Sequence, residues 1–123
     1  QVIIMMLLIV EDDEILRRKL KEILADNFPQ VVVCEAGSGE DMFGLLQNCC
    51  PDIIFMDIHL PGENGLELTR KLKNQHRPPH IIIFSNCDSP EYQEAAFENG
   101  ADDFISKKTG SVNDILRITA SLL

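Results

Sequence analysis

Four apolar runs in this 123-residue chain end in polar or charged side chains. The most informative is Asp52-Ile53-Ile54-Phe55-Met56-Asp57, with a Pro61-Gly62 turn just beyond it. Glu11-Asp12-Asp13 follows the first run, Ser85 ends the run at 81–84, and Lys107 follows the short one at 104–105. A charge at the end of a buried strand costs free energy unless it is paired, solvated or bound to a metal. If the fold gathers these ends at one edge, they form a pocket of carboxylates, one hydroxyl and one ammonium. That composition suits a divalent cation and a phosphoryl group. Mg²⁺ typically takes one or two carboxylates, some waters and substrate phosphate. Asp57 then serves as a nucleophile toward phosphorus. The cation and Lys107 neutralise charge on the equatorial oxygens, and Ser85 hydrogen-bonds one of them.

The elements that must position these groups are legible as an alternation of apolar runs and amphipathic stretches. The pattern predicts strands near 3–10, 30–35, 52–57, 80–85 and 103–106. Leu16, Leu20, Ile23 and Leu24 share one face of a helix at about 13–26, and shorter helices fit 39–48 and 65–74. Ser89-Pro90-Glu91 is an N-cap followed by proline at the first helical position, and Asn99-Gly100 stops that helix. A last helix opens near Ser111, with Val112, Ile115, Ile118, Thr119 and Leu122 on its apolar side. The order is β-α repeated five times. Continuously apolar strands are covered on both faces. The expected fold is therefore an α/β, flavodoxin-like, five-stranded parallel sheet in the order 2-1-3-4-5, with helices on both faces, as one domain over 1–123. Sites in such sheets form beyond the carboxyl ends of the strands, where strand order switches. In that order strands 1 and 3 are neighbours, which brings Glu11 and Asp12 beside Asp57.

Composition narrows the function classes. The net charge is -9, and no Lys/Arg cluster offsets it, which argues against this chain gripping nucleic acid by itself. Val2–Val10 is too short an apolar run to span a bilayer, and it lacks the leader and cleavage site of a signal peptide. Cys34, Cys49, Cys50 and Cys87 make no C-x-x-C pair, so reduced, mostly buried thiols in a cytoplasmic protein are expected rather than a zinc site. Gly37-Ser38-Gly39 lacks the Gly-Lys-Ser/Thr of a phosphate loop and reads as a plain turn into a helix. Asp13 reads as a helix-opening acid, and the ring of His59 as solvated. Lys107 and Lys108 are adjacent, so either could serve the site; the spacing from Phe104 favours Lys107.

The chain resembles the receiver domain of two-component response regulators over essentially its whole length. The resemblance is carried by Leu7-Leu8-Ile9-Val10-Glu11-Asp12-Asp13, Pro51 to Asp57, Leu60-Pro61-Gly62-Glu63-Asn64-Gly65-Leu66-Glu67-Leu68, and Gly100 to Lys107. Each piece alone is weak, but the four in this order are specific. The resemblance implies that Glu11 and Asp12 hold Mg²⁺, that Asp57 accepts the phosphoryl group and also ligates the metal, and that the backbone carbonyl of His59 completes the protein ligands. It implies that Ser85 follows the phosphoryl group, that Lys107 pairs with it, and that Phe104 is an aromatic switch turning inward on activation. The donor would be a phosphohistidine on a sensor histidine kinase or phosphotransfer protein, and the domain would later hydrolyse its own aspartyl phosphate. His59 and Cys87 fall where the family tunes phosphoryl lifetime.

Two departures stand out. The first acid is Glu rather than the commoner Asp, and Lys108 replaces the proline that often follows the lysine. The 28-residue step from Asp57 to Ser85, with Asp88 to Tyr92 after it, is similar to receivers attached to LuxR-type helix-turn-helix domains. A phosphorylation-dependent homodimer and regulation of transcription through an output part outside this chain follow from that likeness. The competing readings are a stand-alone receiver, a pseudo-receiver that acts as an interaction module without phosphorylation, and a small Mg²⁺-dependent phosphohydrolase.

Overall fold

The computed structural model describes residues 5–123. Ten elements alternate: β1 (Met5–Val10), α1 (Glu14–Asn27), β2 (Val31–Ala36), α2 (Gly39–Leu46), β3 (Ile53–Met56), α3 (Gly65–Lys73), β4 (His80–Ser85), α4 (Pro90–Glu98), β5 (Asp103–Ser106) and α5 (Val112–Ser121). The five strands are parallel in the order β2-β1-β3-β4-β5, as the alternation predicts. Positions 3 and 4 of the expected first strand lie outside the described residues.

Strand alternation divides the core in two. Leu8, Val10, Ile54, Met56, Ile81 and Ile83 pack with Met42 of α2, Leu68 and Leu72 of α3 and Ala96 of α4. Leu7, Ile9, Ile53, Phe55, Ile82 and Phe84 pack with Leu20 and Leu24 of α1 and Ile115 of α5. Burial on both faces is why these strands carry no polar alternation. Among the described residues no helix is long and apolar enough to cross a membrane.

The helix starts follow their caps. Asp13 Oδ1 accepts from the N–H groups of Ile15 and Leu16, both at 3.1 Å, which is the helix-opening role expected of it. Ser38 Oγ accepts from Asp41 N–H at 3.1 Å, so Gly37-Ser38-Gly39 is a capped turn into α2. Ser89 caps α4 with Pro90 in its first turn, and Ser111 and Asp114 form a reciprocal capping box on α5. Boundaries differ slightly from expectation. β2 sits one residue later than 30–35 because Ala36 O still accepts from Glu11 N–H at 3.0 Å, which extends the ladder. α2 stops at Leu46 rather than 48, where Asn48 N–H turns to Leu45 O in a tighter final turn. The cysteines are free, but none is fully buried: Cys34, Cys49 and Cys87 are half-buried, and Cys50 is exposed. Cys49 and Cys50 miss the core because they lie in the connection between α2 and β3.

Gly65 fixes the loop that follows β3. Its N–H donates to Ile58 O at 2.7 Å, and a Cβ there would overlap the carbonyl oxygen of Asp57. Gly65→Ala therefore forces the Asp57 backbone to move. The expected loss is about 1–3 kcal/mol of stability. Equilibrium urea unfolding reads it as a lowered midpoint; an unchanged midpoint would show that the loop moves freely.

Candidate functional site

The site begins with register. Val10 pairs with Met56 across β1 and β3, so the next residues, Glu11 and Asp57, leave the sheet side by side. The ladder continues one step further, with Asp57 N–H donating to Val10 O at 3.0 Å. Both carboxylates are buried, Glu11 at 2% and Asp57 at 7% exposure. The alternation that turns Ile9, Phe55 and Ile105 toward α1 and α5 brings Glu11, Asp57 and Lys107 to the same side of the sheet.

Lys107 reaches this pair from the end of β5. Its ammonium contacts the Glu11 carboxylate and lies 3.3 Å from Asp57 Oδ2, above the Phe84 ring at 5.5 Å. The other Asp57 oxygen, Oδ1, accepts from Ile58 N–H at 2.8 Å. Lys108 turns away, its Nζ 3.9 Å from Asp88, which leaves Lys107 as the lysine at the carboxylates. Ser85 is buried at the end of β4, and its Oγ accepts from Cys87 N–H at 3.0 Å. Phe104 is half-buried against the α2–α4 side of the core. His59 is exposed, and its ring meets Tyr92 edge-on at 6.3 Å between centroids.

Glu11, Asp12 and the phosphoacceptor candidate Asp57 each offer an oxygen within 4.8 Å of the others. Asp12 is exposed, so the group opens to solvent on one side. Glu11 Oε2 accepts from Asp13 N–H at 3.2 Å, while Oε1 is buried in contact with the Lys107 ammonium. A hard cation with a preference for carboxylate oxygens relieves the crowding of like charge among the three. The donor set fits Mg²⁺.

Arg17 was not legible as part of this arrangement. Its Nη1 donates to Glu11 O at 2.7 Å and its Nε to Glu35 Oε1 at 3.0 Å, so it ties the acidic turn to β2. Burial alone would raise the Glu35 pKa, but Arg17, Arg18 and Lys21 around it hold the carboxyl below its ordinary value. The available signal was a basic residue one helical turn after the Asp13 cap.

Burial pushes the Glu11 carboxyl from 4.5 up to about 7; Asp57 adds to the rise and Lys107 opposes it. For Lys107 burial acts downward, but Glu11 and Asp57 outweigh it and raise the ammonium above its ordinary value. A carboxyl raised in the folded state binds more protons folded than unfolded. Its contribution is therefore fully present below about 4.5 and is lost as pH rises to about 7. For the metal-free protein this predicts a decline on the order of a few kcal/mol across that window. Glu11→Gln should flatten it. Urea midpoints measured across the window check this, and equal slopes in parent and variant would refute it.

The sequence matches the response regulator receiver domain family over residues 7–119. It is 33% identical over 91 residues to the sensory transduction protein LytT of Oceanobacillus iheyensis, covering 74% of this chain and 37% of that protein. It is 34% identical over 92 residues to the nitrate/nitrite response regulator protein NarL of Escherichia coli K12, covering 75% of this chain and 43% of that protein. The chain thus spans less than half the length of either relative. The fold superposes on the signal receiver domain of a DNA-binding response regulator from Colwellia psychrerythraea 34H with a TM-score of 0.90, at 20% identity, covering 96% of this chain and 97% of that one. Parallel β-α units, a carboxylate group at the β1 and β3 ends and a lysine reaching it from β5 agree with these likenesses, and the chain belongs to the response regulator receiver domain family.

Proposed function

We propose that this chain is a phosphorylatable switch of a two-component system, with Asp57 as the phosphoacceptor. Phosphorylation and Mg²⁺ binding are general to receiver domains. The observation that carries the assignment to Asp57 is the Lys107 ammonium set between two buried carboxylates, 3.3 Å from Asp57 Oδ2. The donor is the phosphohistidine of a sensor histidine kinase or phosphotransfer protein. An Asp57 carboxylate oxygen attacks phosphorus, and the new O–P bond forms as the P–N bond to the imidazole breaks. The departing imidazole nitrogen keeps the electron pair and takes up a proton. When bound by Glu11, Asp12, Asp57 and the His59 carbonyl, Mg²⁺ offsets negative charge on the phosphoryl oxygens.

Lys107, with its Nζ 3.3 Å from Asp57 Oδ2, exchanges part of its pairing with Asp57 for pairing with a phosphoryl oxygen. Ser85 gives up the hydrogen bond from Cys87 N–H and donates to another oxygen. Phe104, half-buried on the core edge and paired in register with Ile83, turns into the space so created. The surface of α4, β5 and α5 then changes its affinity for partners, including a second copy of this chain. The likeness to the nitrate/nitrite response regulator protein NarL, and to the receiver domain of a DNA-binding response regulator, supports an output in transcription through a part outside this chain. The net charge of -9 supports leaving DNA contact to that part.

The deciding test is intact mass after incubation with acetyl phosphate and Mg²⁺. One added phosphoryl group is expected on the parent and none on Asp57→Asn or without metal. No gain, from acetyl phosphate or from a phosphorylated kinase, would identify a pseudo-receiver. A second test concerns lifetime. His59 and Cys87 lie two residues beyond Asp57 and Ser85, the exposed His59 ring against Tyr92 and the half-buried Cys87 side chain against the core. His59→Asn and Cys87→Ala should change the decay rate of the phosphorylated form more than its rate of formation. Unchanged decay in both would sink this assignment.

A further inference from the structure

Lys107 begins a connection that no regular element holds. β5 ends at Ser106 and α5 starts at Val112. Lys108 follows Lys107, so no proline ring fixes the backbone there. Yet the ammonium sits at two buried carboxylates on a flexible four-carbon stem, and a drift of its backbone would be passed to the charge.

The Ser106 side chain supplies the missing restraint. Its Oγ accepts from Lys108 N–H at 3.1 Å and from Thr109 N–H at 3.2 Å, folding the chain back immediately after the lysine. The same hydroxyl donates to Asp88 Oδ2 at 2.6 Å. One donated and two accepted bonds exhaust what a hydroxyl can make. A short bond to a carboxylate is charge-assisted, and it polarises the oxygen so that it accepts more strongly. Gly110 closes the turn with its N–H on Ser106 O at 2.7 Å, where a Cβ would overlap that oxygen. Asp88 belongs to the opposite loop, three residues after Ser85. Ser85 and Ser106 are register partners, and Lys107 N–H donates to Ser85 O at 2.9 Å. The Asp88–Ser106 bond thus joins the two loops that carry the hydroxyl and the ammonium of the site.

We propose that Asp88 and Ser106 form a clasp between the β4–α4 and β5–α5 loops that positions Lys107 for phosphoryl transfer to Asp57. They are positioning residues and act through Lys107. The transfer step rests on the functional reading above; the clasp itself rests on the hydrogen bonds.

The test combines Ser106→Ala, Ser106→Thr, Asp88→Ala and the double alanine variant, each also made with Lys107→Ala. With acetyl phosphate and Mg²⁺, each single alanine variant should lower the phosphorylation rate about tenfold. Asp88→Ala leaves the bonds from Lys108 and Thr109 N–H to Ser106 Oγ, so it should cost no more than Ser106→Ala, and the double variant should lose no more than Ser106→Ala alone. Ser106→Thr, which keeps the hydroxyl, should restore the rate. Mg²⁺ affinity by calorimetry should stay within about twofold, because the carboxylates are held by β1 and β3. With Lys107→Ala, removing the clasp should cost nothing further; additional slowing there, or losses that add, would overturn the proposal. A second readout works even if the protein takes no phosphoryl group. Lys107 side-chain ammonium and Lys108 and Thr109 amide signals in NMR should be protected from exchange in the parent and exposed in Ser106→Ala. Protection unchanged by that substitution would overturn the clasp, while absent phosphorylation with the protection intact would overturn only the functional reading.

Discussion

Three carboxylates converge at the ends of two neighbouring strands, and the rest of the architecture answers the repulsion this creates. With oxygens within 4.8 Å of one another, each pair of charges repels by about 3 kcal/mol at an effective dielectric of ~20. Lys107 supplies one positive charge against them, and the protonation of Glu11 near neutral pH is a second, internal way of reducing the load. Breaking one partner from such a group leaves an uncompensated buried charge, which is why the lysine must be delivered reliably. The two-sided core does this work at a distance. It buries both faces of the sheet, and so fixes which strand ends lie together.

The sheet order explains why chemistry collects at one edge. β1 and β3 are separated by three elements in sequence but pair directly, and their register sets Glu11 beside Asp57 with no freedom to slide. A slip of one strand by one residue would turn its carboxylate to the opposite face along with the apolar residues before it. Core packing and site geometry are therefore the same constraint seen at different ends of the strands. Gly65 shows the cost of this economy: the loop after Asp57 passes so close to the Asp57 carbonyl that no side chain is admitted.

Much of this was legible because it depends on runs and positions. Long apolar strands, capped helices and polar residues at strand ends are written locally, and parallel pairing follows once both faces must be covered. The aspartate ending Ile53-Ile54-Phe55-Met56 and the lysine three residues after Phe104 could be read for the same reason. What could not be read were contacts that depend on rotamers and on loops meeting in space. Arg17 looks like any exposed helical base until its guanidinium reaches Glu11 O and Glu35. The half-buried state of Cys34 and Cys87, and the outward turn of Lys108, likewise follow from packing between elements far apart in sequence. Ser106 and Asp88 are polar loop residues of unremarkable type, 18 positions apart.

The restraints around the site are of two kinds, and the difference has consequences. Glu11 and Asp57 are held by ladder hydrogen bonds that continue a sheet buried on both faces, so moving them means disrupting several strands together. Ser85 and Lys107 also start from strand ends, but the loops beyond them are tied by side-chain hydrogen bonds, among them Cys87 N–H to Ser85 Oγ and Ser106 Oγ to Asp88. A bond of that kind contributes only about 1–3 kcal/mol net, within the range that a bound phosphoryl group can offset. Rigid placement thus belongs to the groups that would hold a cation and attack phosphorus, and adjustable placement to the groups that would respond. Local opening free energies rise from loops toward core strands in folded domains generally. Under the proposed function, this ordering of restraints, from the β1–β3 wall to the β4–β5 wall, would let a covalent event at a fixed carboxylate be read out as movement on the other side.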